Sequence, residues 1–152
     1  MAIILDGSLA AASIRTEIAE AVKSSVAKGN RPPGLVAILV GEDGASQTYV
    51  GAKKKACDEV GFAGDVRRFA ADISEEYLLA EIEKINSDET IDGLIVQLPL
   101  PKHISEEKVT QAILPGKDVD GFHDINMGKL AKGDETGVKP ATPYGITLLM
   151  KH

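Results

Sequence analysis

Gly34-Leu-Val-Ala-Ile-Leu-Val40 is an unbroken apolar run that stops at Gly41, with none of the alternation a strand with one wet face would show. Such a run fits a strand covered on both faces, as in parallel sheets. Gly93-Leu-Ile-Val-Gln-Leu98 repeats the pattern and is closed by Pro99-Leu-Pro101. Around these two segments lie stretches at helical spacing. Ser8 can cap a helix with Ile14, Ile18, Ala21 and Val22 on one face and Gly29-Asn30 as its stop, followed by the breaker Arg31-Pro-Pro33. A second helix is predicted from near Ala45 to Val60, ending at Gly61, and a short strand from Val66 to Phe69. Ser74-Glu75-Glu76 opens a third helix with Leu78, Ile82 and Ile85 as its stripe, its first-turn acids complementing the helix dipole. Ser105 caps a short helix through Ile113, and the stretch from there to Gly137 is rich in turn residues. Strands alternating with amphipathic helices predict an α/β fold, a three-layer open sandwich with a mostly parallel sheet flanked by helices.

At 152 residues and 43% apolar content the chain can bury one sizeable core, so one domain spanning 1–152 is expected. Seventeen Lys and Arg against 23 Asp and Glu leave a net charge of -6, which repels a phosphate backbone; nucleic acid is not an expected partner. The single cysteine, Cys57, has no partner for an internal disulfide, and no Cys/His cluster has the spacing of a zinc site. No segment approaches the apolar run of about 20 residues that crosses a membrane. The opening Met1-Ala-Ile-Ile-Leu5 lacks a basic leader and meets Asp6-Gly7 too soon for a signal peptide. A soluble, cytoplasmic protein without a membrane partner is expected. Thr142 as cap and Pro143 in the first turn start a last helix properly, but no stopping signal precedes His152, so the helix reads as one that continues in a longer chain.

In sheets of this kind, ligands bind beyond the carboxyl ends of the strands. That rule selects the Gly41-Glu-Asp-Gly44 turn with the helix after it, and Gln97 with the prolines after it. In the helix, at roughly 100° per residue, Tyr49, Ala52, Lys53, Ala56, Cys57 and Val60 share one apolar face, while Lys54, Lys55, Asp58 and Glu59 point elsewhere. Lys53 is the odd residue on that face: it must snorkel, find a counter-charge or lose its proton, and a lysine with a lowered pKa is useful as a base. Tyr49, one turn earlier, either flanks a ligand together with Lys53 or is a core aromatic with its hydroxyl at the surface. Gln97 interrupts an apolar strand, and a buried amide needs a hydrogen-bond partner; its carbonyl oxygen could hold Lys53, or the amide could bond to loop backbone. Lys117-Asp-Val-Asp-Gly121 reads as an Asx-type loop or as a carboxylate able to accept paired hydrogen bonds from an amidine-like heterocycle such as a pterin. Neither acid has metal-ligand companions, so no metal is expected, and His103, His123 and His152 read as scattered surface residues.

Four ordered motifs, Val40-Gly-Glu-Asp-Gly-Ala-Ser-Gln-Thr-Tyr49 leading to Lys53 and Cys57, Gly93-Leu-Ile-Val-Gln-Leu-Pro-Leu-Pro101, Lys117-Asp-Val-Asp-Gly-Phe122 and Pro140-Ala-Thr-Pro-Tyr-Gly145, resemble the bifunctional methylenetetrahydrofolate dehydrogenase/methenyltetrahydrofolate cyclohydrolase family across almost the whole chain. The resemblance implies a tetrahydrofolate-binding catalytic domain. It places the acid/base role on Lys53, the tuning amide on Gln97, the pterin-gripping carboxylate on Asp120, and the ring stacked on the aminobenzoyl group on Tyr49, with Val96 and Leu98 flanking the substrate. It also implies hydride transfer from the methylene bridge to NADP or NAD, hydrolysis of the methenyl carbon to 10-formyltetrahydrofolate, and a homodimer in the full-length protein. No glycine-rich dinucleotide fingerprint follows any strand, so the nicotinamide site is not expected in this chain; residues 142–152 resemble the start of the helix that leads into a dinucleotide-binding domain. Smaller departures from the family are Ala141 for cysteine, and Gly44 and Asp124 for proline. A non-catalytic folate-binding fragment or interaction module is the alternative. A receiver-type sensor would need its acids at a strand end near the N-terminus, where only Glu42-Asp43 could serve.

Overall fold

A computed structural model describes residues 5–42 and 44–151 of the chain; the readings made on the first four residues, on Asp43 and on His152 lie outside the described residues. Among the described residues six helices and three strands follow one another as α1 (Gly7–Ala27), β1 (Gly34–Val40), α2 (Gly44–Val60), β2 (Ala63–Phe69), α3 (Glu75–Ser87), β3 (Gly93–Val96), α4 (Glu106–Ala112), α5 (Asp124–Ala131) and α6 (Ala141–Lys151). The strands form one parallel sheet in the order β2-β1-β3.

The apolar run that opened the sequence reading is the central strand, and its alternate residues serve two separate cores. Val36, Ile38 and Val40 join Leu78, Ile82 and Ile85 of α3, Leu94 and Val96 of β3 and Val109 of α4. Ala37 and Leu39 face the other way, with Ile95 and with Val50 of α2. Helix α2, with α1 packed on it, therefore covers one face of the sheet and α3 and α4 cover the other, as expected. The α3 stripe is fully buried, and each of its three large side chains contributes about 1.5–3 kcal/mol through the area it removes from water.

Local chemistry explains the boundaries, and in several places it corrects the sequence reading. Helix α1 is capped by Asp6, whose carboxylate accepts from the Ser8 and Leu9 amides, rather than by Ser8; a carboxylate one residue out reaches two orphan donors where a hydroxyl reaches one. Of its expected face only Val22 is buried, along with Ala10, while Ile18 and Ala21 are exposed because α1 is an outer helix that packs on α2 and, more lightly, on α6. Ser74 and Ser105 cap α3 and α4 as expected, each accepting from the amide three residues on. Strand β2 begins at Ala63, three residues before the expected Val66, because its register with β1 runs from Gly34 against Ala63. β3 ends at Val96 rather than at Leu98, although the Gln97 amide still donates to the Ile38 carbonyl at 2.9 Å. Helix α6 starts at Ala141, one residue before the expected cap. Helix α5 lies inside the segment read as turns. Its cap is His123, whose Nδ1 accepts from the Ile125 amide at 3.1 Å, so that histidine has a structural task.

At the amino ends of the strands, away from the site, Arg31 forks onto both Asp92 carboxylate oxygens at 2.6 and 2.9 Å, and Asp92 also accepts from the Gly34 amide at 2.8 Å. The guanidinium and that backbone bond hold the Asp92 carboxyl down at about 2.

Candidate functional site

Ser46, Val50, Lys53, Cys57 and Val60 recur at alternating spacings of four and three residues and form the row of α2 that faces the sheet; four are buried and Lys53, at the centre, is half-buried. The expected face was rotated by about one position: Val50 is fully enclosed, whereas Tyr49 is 64% exposed and Ala52 is open to solvent. Packing of Val50 onto Ala37, Leu39 and Ile95 selects this rotation, which the sequence of the helix alone does not encode. Lys53 keeps its place over the sheet under either reading.

β3 lies beside β1, and Gln97 follows its last residue. Leu94 and Val96 point into the α3/α4 core and Ile95 points toward α2. By the same alternation Gln97 faces α2. There Lys53 Nζ donates to Gln97 Oε1 at 3.2 Å. Gln97 Nε2 is committed to the Leu98 carbonyl at 2.9 Å, which fixes the amide with its oxygen toward the lysine. The two sequence alternatives for Gln97 are both realised, one by each end of the amide. Val96 is buried in the α3/α4 core and Leu98 packs against it, so the approach of these two residues to a ligand beside Gln97 would be through backbone.

Of the two acids in the Lys117–Gly121 segment, Asp120 is half-buried. Burial pushes its carboxyl above the ordinary range, the Lys53 charge pulls it back and Asp118 adds to the rise. Lys53 is therefore within electrostatic reach of Asp120 and in hydrogen-bond contact with Gln97: the three residues expected to act together stand at one end of the sheet. Tyr49, one turn back on α2, extends the group into solvent.

The sequence reading missed Asp118. It is 2% exposed and accepts from the Gly121 amide at 3.0 Å, the His123 amide at 2.9 Å and Asn126 Nδ2 at 3.0 Å. The available signal was the x-Asp-x-Asp spacing itself, since residues two apart on an extended segment share a face only if the chain does not turn, and Gly121 turns it with φ of 74°. Among the described residues no group of three or more His, Cys, Asp or Glu could hold a metal ion. In sequence, the segment after β1, Gly41-Glu-Asp-Gly44, carries two acids and not the glycine-rich fingerprint whose bare amides hold a pyrophosphate.

Residues 5–120 match the family described as tetrahydrofolate dehydrogenase/cyclohydrolase, catalytic domain. The chain is 51% identical over 152 residues to the bifunctional protein FolD of Aquifex aeolicus, covering 100% of this chain and 52% of the relative, and 50% identical over 148 residues to that of Porphyromonas gingivalis, covering 97% and 50%. Among solved structures it resembles the FolD methylenetetrahydrofolate dehydrogenase/cyclohydrolase of Campylobacter jejuni, with a TM-score of 0.95 and 43% identity over 98% of this chain and 52% of that one. The Trypanosoma brucei enzyme, solved with NADP and an inhibitor, gives a TM-score of 0.93 at 32% identity over 99% of this chain and 51% of that one. The chain spans about half the length of the relatives it matches.

Proposed function

Because the chain belongs to the tetrahydrofolate dehydrogenase/cyclohydrolase family, we propose that it carries the folate half of such an enzyme and the residues that hydrolyse 5,10-methenyltetrahydrofolate to 10-formyltetrahydrofolate. The observation that carries this reading is the contact of Lys53 Nζ with Gln97 Oε1, on a row of α2 that is otherwise buried.

The reaction asks for a proton acceptor beside an electrophilic carbon. The methenyl bridge is an amidinium-like cation. Water adds to it, one proton leaves the attacking oxygen, and the resulting tetrahedral carbon expels one ring nitrogen to leave the formyl group on the other. The net change is addition of water and release of one proton. Lys53 takes the proton from water and can return it to the departing nitrogen, as a general base and then acid. Gln97, locked by Leu98, holds the amine through its carbonyl oxygen. Asp120 accepts paired hydrogen bonds from the pterin, and Tyr49 offers its exposed ring to the aminobenzoyl group. Val96 and Leu98 line the substrate through their backbone.

The oxidation that precedes hydrolysis in the FolD relatives passes a hydride to NADP or NAD. No glycine-rich fingerprint for the pyrophosphate of that cofactor follows β1 or β3 in the sequence. We place the nicotinamide site in a following dinucleotide-binding domain reached through residues 142–152, in a cytoplasmic, homodimeric full-length protein.

Lys53→Met tests the proposal. The purified chain is expected to hydrolyse methenyltetrahydrofolate above the spontaneous rate, and the variant to lose at least about a hundredfold of that excess while still binding tetrahydrofolate. Unchanged turnover per bound ligand in the variant would remove Lys53 from the chemistry.

A further inference from the structure

We infer that Asp118 and Asn126 form a buried hub that positions Asp120, so that two side chains which face away from the substrate set the affinity for its pterin. The inference rests on the folate reading above.

The segment carrying Asp120 has no regular structure of its own, yet it is tied on every side. Its start is fastened to the sheet: the Leu94 amide donates to the Lys117 carbonyl at 2.7 Å, and Leu94 and Asp118 pair as an isolated parallel bridge beside β3. Its end is fastened to the head of α6, where the Ala141 amide donates to the Asp120 carbonyl at 3.2 Å. Gly121 lies so close to the Lys139–Pro140 backbone that a Cβ there would come within 2.7 Å of Pro140 N.

Between these anchors sit the two buried polar side chains, each 2% exposed. The Asp118 carboxylate gathers the Gly121 and His123 amides and so wraps the chain around Asp120. Asn126 donates to Asp118 Oδ2 at 3.0 Å and to the Pro115 carbonyl at 2.9 Å, and its Oδ1 accepts from the Val138 amide at 3.1 Å. One amide therefore joins the segment before Asp120, the loop around it and the strand of chain that backs Gly121. A buried carboxylate and amide with all their bonds made resist displacement, because each lost bond leaves a desolvated donor or acceptor behind. Asp120 is consequently held by its backbone on both sides while its carboxylate stays free of the hub, which is what a group reserved for a ligand requires.

Asn126→Ala, made in the 152-residue chain, removes the three bonds that the amide contributes to the hub without altering any charge. Two quantities are read: the Kd for tetrahydrofolate with hydrolysis of methenyltetrahydrofolate per bound ligand, and the titration midpoint of the Asp120 carboxyl by 13C NMR. The expected result is a Kd raised by about tenfold or more, per-ligand turnover within about threefold, and an Asp120 midpoint that falls toward the ordinary carboxylate value as the side chain is released from its enclosed position. If the hub only stabilises the fold, the folded fraction declines while Kd and the Asp120 midpoint of the folded protein stay unchanged, and the inference is overturned. Asn126→Ser, which can keep one of the bonds, gives the same reading at smaller amplitude should the alanine variant not fold. A wild-type chain that fails to bind tetrahydrofolate while its Asp120 midpoint still responds to Asn126→Ala would refute the folate reading and leave the positioning of Asp120 intact.

Discussion

Replacing Gly121 by alanine should damage this protein more than the loss of a hydrogen atom suggests. The residue has φ of 74°, a conformation that costs a Cβ-bearing residue about 1–2 kcal/mol. A Cβ would also meet Pro140 N at 2.7 Å, the Lys139 carbonyl carbon at 2.8 Å and Pro140 Cα at 2.9 Å, all backbone atoms with no rotamer to swing away. Overpacking of that kind adds about 1–3 kcal/mol, for a total of about 2–5 kcal/mol, a large share of the stability of a domain this size. Gly133 supplies the control. It has nearly the same backbone angle, φ of 71°, but nothing within 4 Å of an added Cβ. Gly133→Ala should therefore cost only the conformational part, about 1–2 kcal/mol. Urea unfolding of the two variants, followed by far-ultraviolet circular dichroism, measures the difference directly. Equal losses would show that the loop and the head of α6 do not press on one another, and would undo the account of how the Asp120 segment is fixed.

Ile82→Ala, at a fully buried position of the α3 stripe, should destabilise by about 2–5 kcal/mol in the same urea assay, whereas Ile18→Ala on the open side of α1 should cost far less. The Asp92 carboxyl drops from the ordinary 3.8 to about 2 on folding, so its contribution is present above the unfolded value and is lost as pH falls through the folded one; Asp92→Asn should lower stability at pH 7 and flatten its decline between pH 4 and pH 2. The full shift would be worth about 2 kcal/mol, and screening of this half-exposed pair reduces the expectation to about 1 kcal/mol. Burial pushes the Cys57 thiol up, with Asp58 adding and Lys54 opposing, so at pH 8 it should react with an aromatic disulfide at least about tenfold more slowly than free cysteine, and at the free rate once urea unfolds the chain.

Much of the architecture could be read before any coordinates, and the exceptions share a cause. Continuous apolar runs and capped amphipathic stretches announce themselves, and β1 and α3 were legible for that reason. Helix α5 was not. Its sequence Asp124-Ile-Asn-Met-Gly-Lys-Leu-Ala131 holds a glycine and an asparagine, and the residue it buries is that asparagine, so polar bonding rather than a stripe locks it in place. The first half of β2, Ala63-Gly-Asp65, looks like a turn and becomes strand because β1 dictates its partner. The rotation of α2, which exposes Tyr49 and encloses Val50, depends on what the sheet offers and not on the helix. At the site, the lone lysine on a buried row and the lone amide in a strand were both visible as anomalies, and their meeting required only that β3 lie next to β1. Asp118 was hidden because an acid that satisfies three donors and an acid whose carboxylate stays outside that network are spelled with the same letter.

The division of β1 between two cores has a consequence for how the molecule breathes. Its side chains are divided between both helical layers, with odd positions answering to α2 and even ones to α3 and α4, while its backbone pairs with β2 and β3. Neither layer can peel away alone without unsealing the strand that the other depends on. The helix bearing Lys53 and the strand end bearing Gln97 are thereby expected to resist drifting apart through slow local opening, with the low-stability openings falling instead in the exposed faces of α1 and α5.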